Sequence, residues 1–127
     1  MAKKVLIVDD DVEQIDFASA VLEENGYIPI SATDGIEGMD KVKTEKPDLI
    51  LLDILMPEKG GIAMYRDLRN NDETKDIPVI VVTGVSRGQR FEERMMGRGP
   101  NIPAPDGYIR KPMKPEVMLK LLGALLS

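Results

Sequence analysis

The chain has 127 residues and carries 17 basic against 22 acidic side chains, a formal net charge of -5. This length suits a single core, so we expect residues 1–127 to form one domain. The negative net charge disfavours nucleic acid as a partner. Because the sequence has no cysteine and no histidine, any metal must be bound through oxygen, as Mg²⁺, Ca²⁺ and Mn²⁺ are. No apolar run approaches the roughly 20 residues that a membrane span needs. We therefore expect a soluble, cytoplasmic protein with no membrane partner.

Short apolar segments alternate with amphipathic ones along the chain. The apolar segments predict strands over residues 5–8, 27–32, 49–52, 77–82 and 108–110. The amphipathic segments predict helices that begin after Asp11, at Thr33 or Asp34, at Gly61, at Gln89 and at Pro115. The fourth of these helices, over 89–96, is expected to be short, because the glycines and prolines of residues 97–107 predict a stiff loop. The predicted inward stripes include Val12 on the first helix, Ile36 on the second and Val117 on the last.

Five strands alternating with five helices predict a three-layer α/β sandwich, a (βα)5 fold with a parallel five-stranded sheet. Pro29 favours a position at the sheet edge for the second strand. We expect the flavodoxin-like strand order 2-1-3-4-5, in which the first and third strands are neighbours. Asp9 and Asp10 follow the first strand and Asp53 follows the third, so this order would bring three carboxylates to one edge of the sheet.

The same edge should also receive Thr83 from the end of the fourth strand and Lys111 from the end of the fifth. Each of these residues alone has an ordinary explanation as a helix cap, a turn residue or a surface charge. Together they favour phosphoryl chemistry, because clustered carboxylates repel one another unless a cation such as Mg²⁺ is bound between them. A carboxylate can then attack phosphorus to form an acyl phosphate, with Lys111 offsetting the charge and Thr83 donating a hydrogen bond.

Four segments carry a family resemblance: VLIVDDD at residues 5–11, LLDILMP at 51–57 together with Gly61, VVTG at 81–84 and GYIRKP at 107–112. With them the chain resembles, over nearly its whole length, the receiver domain of bacterial two-component response regulators. The resemblance implies a phosphoacceptor in signal transduction and not a turnover enzyme. Asp53 would take a phosphoryl group from the phosphohistidine of a sensor histidine kinase or a histidine phosphotransfer protein. Mg²⁺ would be bound by Asp10, Asp53 and the backbone carbonyl of Leu55, with Asp9 holding the ion through water.

The resemblance assigns three further roles at the same edge. Lys111 would pair with the acids or with the phosphoryl group, Thr83 would bind a phosphoryl oxygen, and Tyr108 would be an aromatic switch that turns inward on activation. The cis Lys-Pro bond of the family would fall at Lys111-Pro112. We expect a stand-alone receiver, a monomer or weak homodimer, that acts on a downstream protein target or relays the phosphoryl group to another histidine.

Three features depart from the family pattern, and one of them, Gly60 in place of a frequent acidic residue just before Gly61, has no predicted consequence. The glycine- and proline-rich segment 97–107 lengthens a connection that is usually a compact helix, which predicts an unusual partner surface. Leu55 stands where family members often have a polar side chain, and an aliphatic group cannot orient water, which predicts slow self-dephosphorylation. The main alternative is a pseudo-receiver, an interaction module that is never phosphorylated. A magnesium-dependent aspartyl phosphatase is disfavoured, because it needs a second aspartate at the position of Leu55.

Overall fold

The computed structural model describes residues 2–54, 60–83 and 104–126. Within these ranges it contains nine elements: β1 (Lys4–Val8), α1 (Val12–Glu24), β2 (Ile28–Ala32), α2 (Gly35–Glu45), β3 (Leu49–Asp53), α3 (Gly61–Arg69), β4 (Val79–Thr83), β5 (Gly107–Arg110) and α4 (Pro115–Leu126). The helix expected over 89–96 and most of the loop expected over 97–107 lie outside the described residues. No helix in the described ranges is both long and apolar enough to cross a bilayer.

The five strands form one parallel sheet in the order β2-β1-β3-β4-β5, which confirms the predicted flavodoxin-like arrangement. Every residue of β3 and β4 is buried, because these apolar strands lie inside the sheet with helices on both faces. The strand with Pro29 lies at one edge, as expected. The order places the carboxyl ends of β1 and β3 side by side, with Val8 paired to Leu52.

Side-chain alternation along the strands divides the apolar core into two clusters. Leu6 and Ile50, with the other strand side chains of the same sheet face, pack against α2 and α3. Ile7 and Leu51, with the strand side chains of the opposite face, pack against α1 and α4. The molecule therefore has the three layers that the sequence pattern predicts.

Three residues predicted to face inward are exposed: Val12 at 58%, Ile36 at 67% and Val117 at 43%. Val12 and Val117 stand in the first turn of their helices, ahead of the first buried residue of each. Ile36 is exposed because α2 packs through Gly38, where an added Cβ would lie 2.8 Å from the Sδ of Met64. Two residues turn a helix by roughly 200°, so Ile36 faces away from that contact. A pattern that counts only apolar side chains does not register a glycine as a packing position.

Candidate functional site

Three carboxylates meet where β1 and β3 end. Asp9 directly follows β1, Asp10 comes next, and Asp53 is the last residue of β3. Carboxylate oxygens of the three residues lie within 4.8 Å of one another. The structure thus brings together the three acids that the predicted strand order placed at one edge.

The three acids differ in their surroundings. Asp9 and Asp53 are each only 3% exposed, whereas Asp10 is exposed. The carboxylate of Asp9 accepts a hydrogen bond of 2.9 Å from the backbone amide of Asp11. Burial nevertheless raises the pKa of Asp9 to about 6, with the amide of Asp11 opposing the rise and the charge of Asp53 adding to it. The cluster therefore resists carrying its full negative charge unless a cation compensates it.

Lys111, the residue that directly follows β5, supplies such a cation. Its Nζ lies 3.2 Å from Oδ2 of Asp53 and 3.6 Å from Oδ2 of Asp9. The backbone amide of Lys111 donates a hydrogen bond of 2.7 Å to the carbonyl of Thr83, which fixes the start of the segment after β5. Burial acts to lower the pKa of Lys111, but the charges of Asp53 and Asp9 outweigh it, so the pKa lies above its ordinary value. The ammonium group is therefore charged at neutral pH.

Thr83 and Tyr108 occupy neighbouring strands near this edge. Thr83 is the last residue of β4 and is buried. Tyr108 pairs with Val81 across β4 and β5, its ring packs against the core cluster on the α2 and α3 face, and its hydroxyl oxygen is buried. The Lys111-Pro112 bond is cis, as the resemblance predicted. Leu55 lies outside the described residues, so the contribution of its carbonyl stays a prediction.

Gly61 is a positioning residue that the sequence pattern identified only as the start of a helix, and the resemblance only as part of a family motif. A Cβ at this position would collide with the carbonyl oxygen of Asp53 and would lie 2.5 Å from Cα of Ile54. Only glycine allows α3 to begin this close to the backbone that carries Asp53. The Gly60-Gly61 pair ahead of a helical pattern was the available signal, but it does not say which backbone comes near.

The acid cluster suits a small hard cation. Oxygens bound octahedrally to Mg²⁺ at about 2.1 Å stand roughly 3 to 4 Å apart, so the spacing of the three carboxylates is close to that of an ion site. An oxygen-only donor set with one exposed member, Asp10, leaves room for water or phosphate oxygens as further ligands. The residues present therefore fit Mg²⁺.

Comparison with known proteins agrees with this geometry. Residues 5–123 match the family described as the response regulator receiver domain. The chain is 36% identical over 124 residues to the protein PilH of Pseudomonas aeruginosa, and the match covers 98% of both chains. It is 33% identical over 126 residues to the phosphate regulon transcriptional regulatory protein PhoB of Escherichia coli, covering 99% of this chain and 52% of PhoB. The chain therefore spans about half the length of PhoB and similar curated relatives.

A solved structure shares both the sequence and the architecture. The signal receiver domain of a signal transduction histidine kinase from Syntrophus aciditrophicus has 34% identity and a TM-score of 0.85, covering 98% of this chain and 90% of that one. The two chains therefore share the fold over nearly the whole length of this chain. On the fold, the family match and these relatives, the chain belongs to the response regulator receiver domains of two-component signal transduction.

Proposed function

We propose that Asp53 is the phosphoacceptor of this receiver. The observation that carries the proposal is the position of its buried carboxylate, which lies beside two further acids and 3.2 Å from the Nζ of Lys111. The ammonium group places a positive charge beside the carboxylate that would attack phosphorus, where it can offset the charge of the transferring oxygens. Family membership supports the same assignment, because Asp53 lies in the LLDILMP segment that carries the resemblance.

The reaction would transfer a phosphoryl group from a phosphohistidine. An oxygen of Asp53 forms a bond to phosphorus while the bond between phosphorus and the imidazole nitrogen breaks, and the released imidazole takes a proton from water. Lys111 stays within reach of the transferred group and offsets its charge, and the hydroxyl of Thr83 would donate to a phosphoryl oxygen. Mg²⁺ held by Asp9, Asp10 and Asp53, with the carbonyl of Leu55, would neutralise charge on the phosphoryl oxygens.

Phosphorylation would then act on the strand that carries Lys111. The acyl phosphate adds about -1.5 to -2 charges at the site. Lys111 would exchange its ion pair with the carboxylate for one with the phosphoryl oxygens, which changes the preferred conformation of the adjoining β5 and of Tyr108. We propose that the 127 residues form a single receiver domain, a monomer or weak homodimer, whose phosphodonor is a sensor histidine kinase or histidine phosphotransfer protein and whose β5 region contacts a protein target.

Intact-mass spectrometry after incubation with acetyl phosphate and Mg²⁺ tests the proposal. We expect one phosphoryl adduct, which disappears when Mg²⁺ is removed and in the Asp53→Asn variant. Asp16→Asn, which changes an exposed acid on α1, is the matched control and should be modified as the parent is. An adduct that persists in Asp53→Asn would move the acceptor elsewhere. No adduct on the parent, despite Mg²⁺ binding measured by titration, would favour the pseudo-receiver.

A further inference from the structure

Another ion pair lies where β4 and β5 begin, at the opposite end of the strands from the acid cluster. Arg69, the last residue of α3, has a side chain only 4% exposed, and its Nη2 lies 3.0 Å from Oδ2 of Asp106. The same guanidinium stacks over the ring of Tyr65 at 4.9 Å and donates from Nε to the hydroxyl of Tyr65 at 3.2 Å. Its Nη1 donates to the carbonyls of Lys75 and Ile77 at 3.0 and 2.8 Å. A buried cation with this many acceptors is held rigidly in place.

Asp106 connects this cation to the edge strand. Its Oδ2 also accepts a hydrogen bond of 2.9 Å from the backbone amide of Val79, and its own amide donates to the carbonyl of Val79 at 2.9 Å. Asp106 therefore joins the start of β5 to β4 through a reciprocal pair of bonds and to α3 through Arg69. β5 begins at the residue after Asp106 and ends at the residue before Lys111, so this strand is the most direct covalent path from the ion pair to the site.

β5 is a short strand at the edge of the sheet, and Lys111 follows it directly. The strand is held at its first end by Asp106 and at its second end by the bond from the Lys111 amide to Thr83. A shift of one residue along an edge strand moves each side chain by about 3.3 Å and turns it to the other face. Such a shift would move Nζ of Lys111 away from Asp53 and would break the packing of Tyr108 against the core.

We infer that the Arg69–Asp106 pair is a register clamp that positions Lys111 at the acid cluster. Arg69 and Asp106 are positioning residues, and their role at the site rests on the proposed phosphoacceptor function of Asp53. The acids are held by β1 and β3, at the centre of the sheet, whereas the cation is held by an edge strand that has this clamp at its far end. Loss of the clamp should therefore affect Lys111 while leaving the acids in place.

A double-mutant cycle separates positioning from general destabilisation. Asp106→Ala is made in the parent and in a Lys111→Ala background, and the initial rate of phosphorylation by acetyl phosphate is measured at saturating Mg²⁺. We expect Asp106→Ala to slow the parent by about ten-fold and to change the rate little when Lys111 is already absent. An equal fold-change in both backgrounds would overturn the inference, because it would show that the effect does not pass through Lys111.

Two further readouts need no phosphoryl transfer. Displacement of Lys111 removes a cation that competes for the acids, so Mg²⁺ affinity should stay equal or rise in Asp106→Ala, whereas a loosened fold would lower it. Amide hydrogen exchange should accelerate at Lys111 while the amides of β1 keep their protection. Unchanged exchange at Lys111, or equal acceleration in β1, contradicts the clamp even if the parent itself is never phosphorylated.

Matched variants keep the experiment interpretable. Asp72→Ala removes an ion pair of 3.7 Å to Lys75 in the segment between α3 and β4. Because the side chain of Asp72 is 97% exposed, the phosphorylation rate and the amide exchange of this variant should match those of the parent. If Asp106→Ala does not fold, Asp106→Asn keeps an acceptor for Arg69 and Val79 without the charge and should give a smaller effect in the same direction. A parent that takes no phosphoryl group refutes the proposed function, whereas a phosphorylated parent with an additive cycle refutes the clamp alone.

Discussion

Replacing Gly61 by alanine tests whether the close approach of α3 holds the backbone of Asp53 in place. The added methyl group would meet the carbonyl oxygen of Asp53 and Cα of Ile54, the latter at 2.5 Å, where ordinary contacts begin at 3.4 Å. Both neighbours are backbone, so α3 must retreat by about 1 Å, and overpacking of this kind costs about 1 to 3 kcal/mol. Alanine regains about 0.4 to 1 kcal/mol through the unfolded chain. Taking the middle of each range, we expect Gly61→Ala to lower the free energy of unfolding by about 1.3 kcal/mol.

Gly123→Ala is the matched control, because it is the same chemical change in a helix where nothing lies within 4 Å of the added Cβ. This variant should raise the free energy of unfolding by up to about 1 kcal/mol. Urea-induced unfolding without Mg²⁺ should show opposite shifts of the midpoint for the two variants at similar slopes. Gly61→Ala should also accept a phosphoryl group more slowly, since the shift falls on the strand end with Asp53. The reasoning is refuted if Gly61→Ala is as stable as the parent and is phosphorylated at the parental rate.

Three further predictions address the acid cluster and its surroundings. Because burial raises the pKa of Asp9 to about 6, the folded protein binds this proton more tightly than the unfolded chain, and stability without metal should fall as pH rises from about 4 to about 6. In urea titrations without metal, Asp9→Asn should remove this decrease of stability with rising pH. In the parent, Mg²⁺ should bind more weakly at pH 5 than at pH 7, because the ion must displace the proton of Asp9. Leu55→Asn should speed the loss of the phosphoryl group, followed by intact mass, and an unchanged half-life would contradict the role given to Leu55. Gly60 precedes α3 in an extended conformation without a side-chain cap, so Gly60→Ser should raise the free energy of unfolding by about 0.5 to 1 kcal/mol, and a lower urea midpoint would exclude this capping effect.

The sheet and its functional edge could be predicted from the sequence because they depend on strong, local patterns. The continuous apolar segments of β3 and β4 are typical of strands covered on both faces, and right-handed crossovers leave few strand orders. Once the order is chosen, Asp9, Asp53 and Lys111 must meet, since each stands at the carboxyl end of its strand. The contacts of Lys111 with both acids are the direct structural consequence.

The helix faces and the Arg69–Asp106 pair could not be predicted in the same way. Apolar periodicity placed Ile36 inward, but α2 packs through Gly38, and a glycine contributes nothing to an apolar pattern. Arg69 and Asp106 are 37 residues apart, and neither position carries a local signal that names the other. Each looks like an ordinary surface charge until the sheet order is known.

The acid cluster and the cation that serves it are held by parts of the sheet with different stability. Asp9 and Asp53 extend from β1 and β3, which are paired on both sides, whereas Lys111 follows the edge strand β5, which is paired on one side only. Fluctuations of an edge strand cost less free energy than those of a central one, because fewer contacts are broken. For the proposed phosphoacceptor role, the acids that would hold Mg²⁺ should stay fixed, whereas Lys111 should be able to change partners when the phosphoryl group arrives. The Arg69–Asp106 pair then limits that movement to the end of β5 that carries Lys111, since it holds the other end of the strand to β4 and α3.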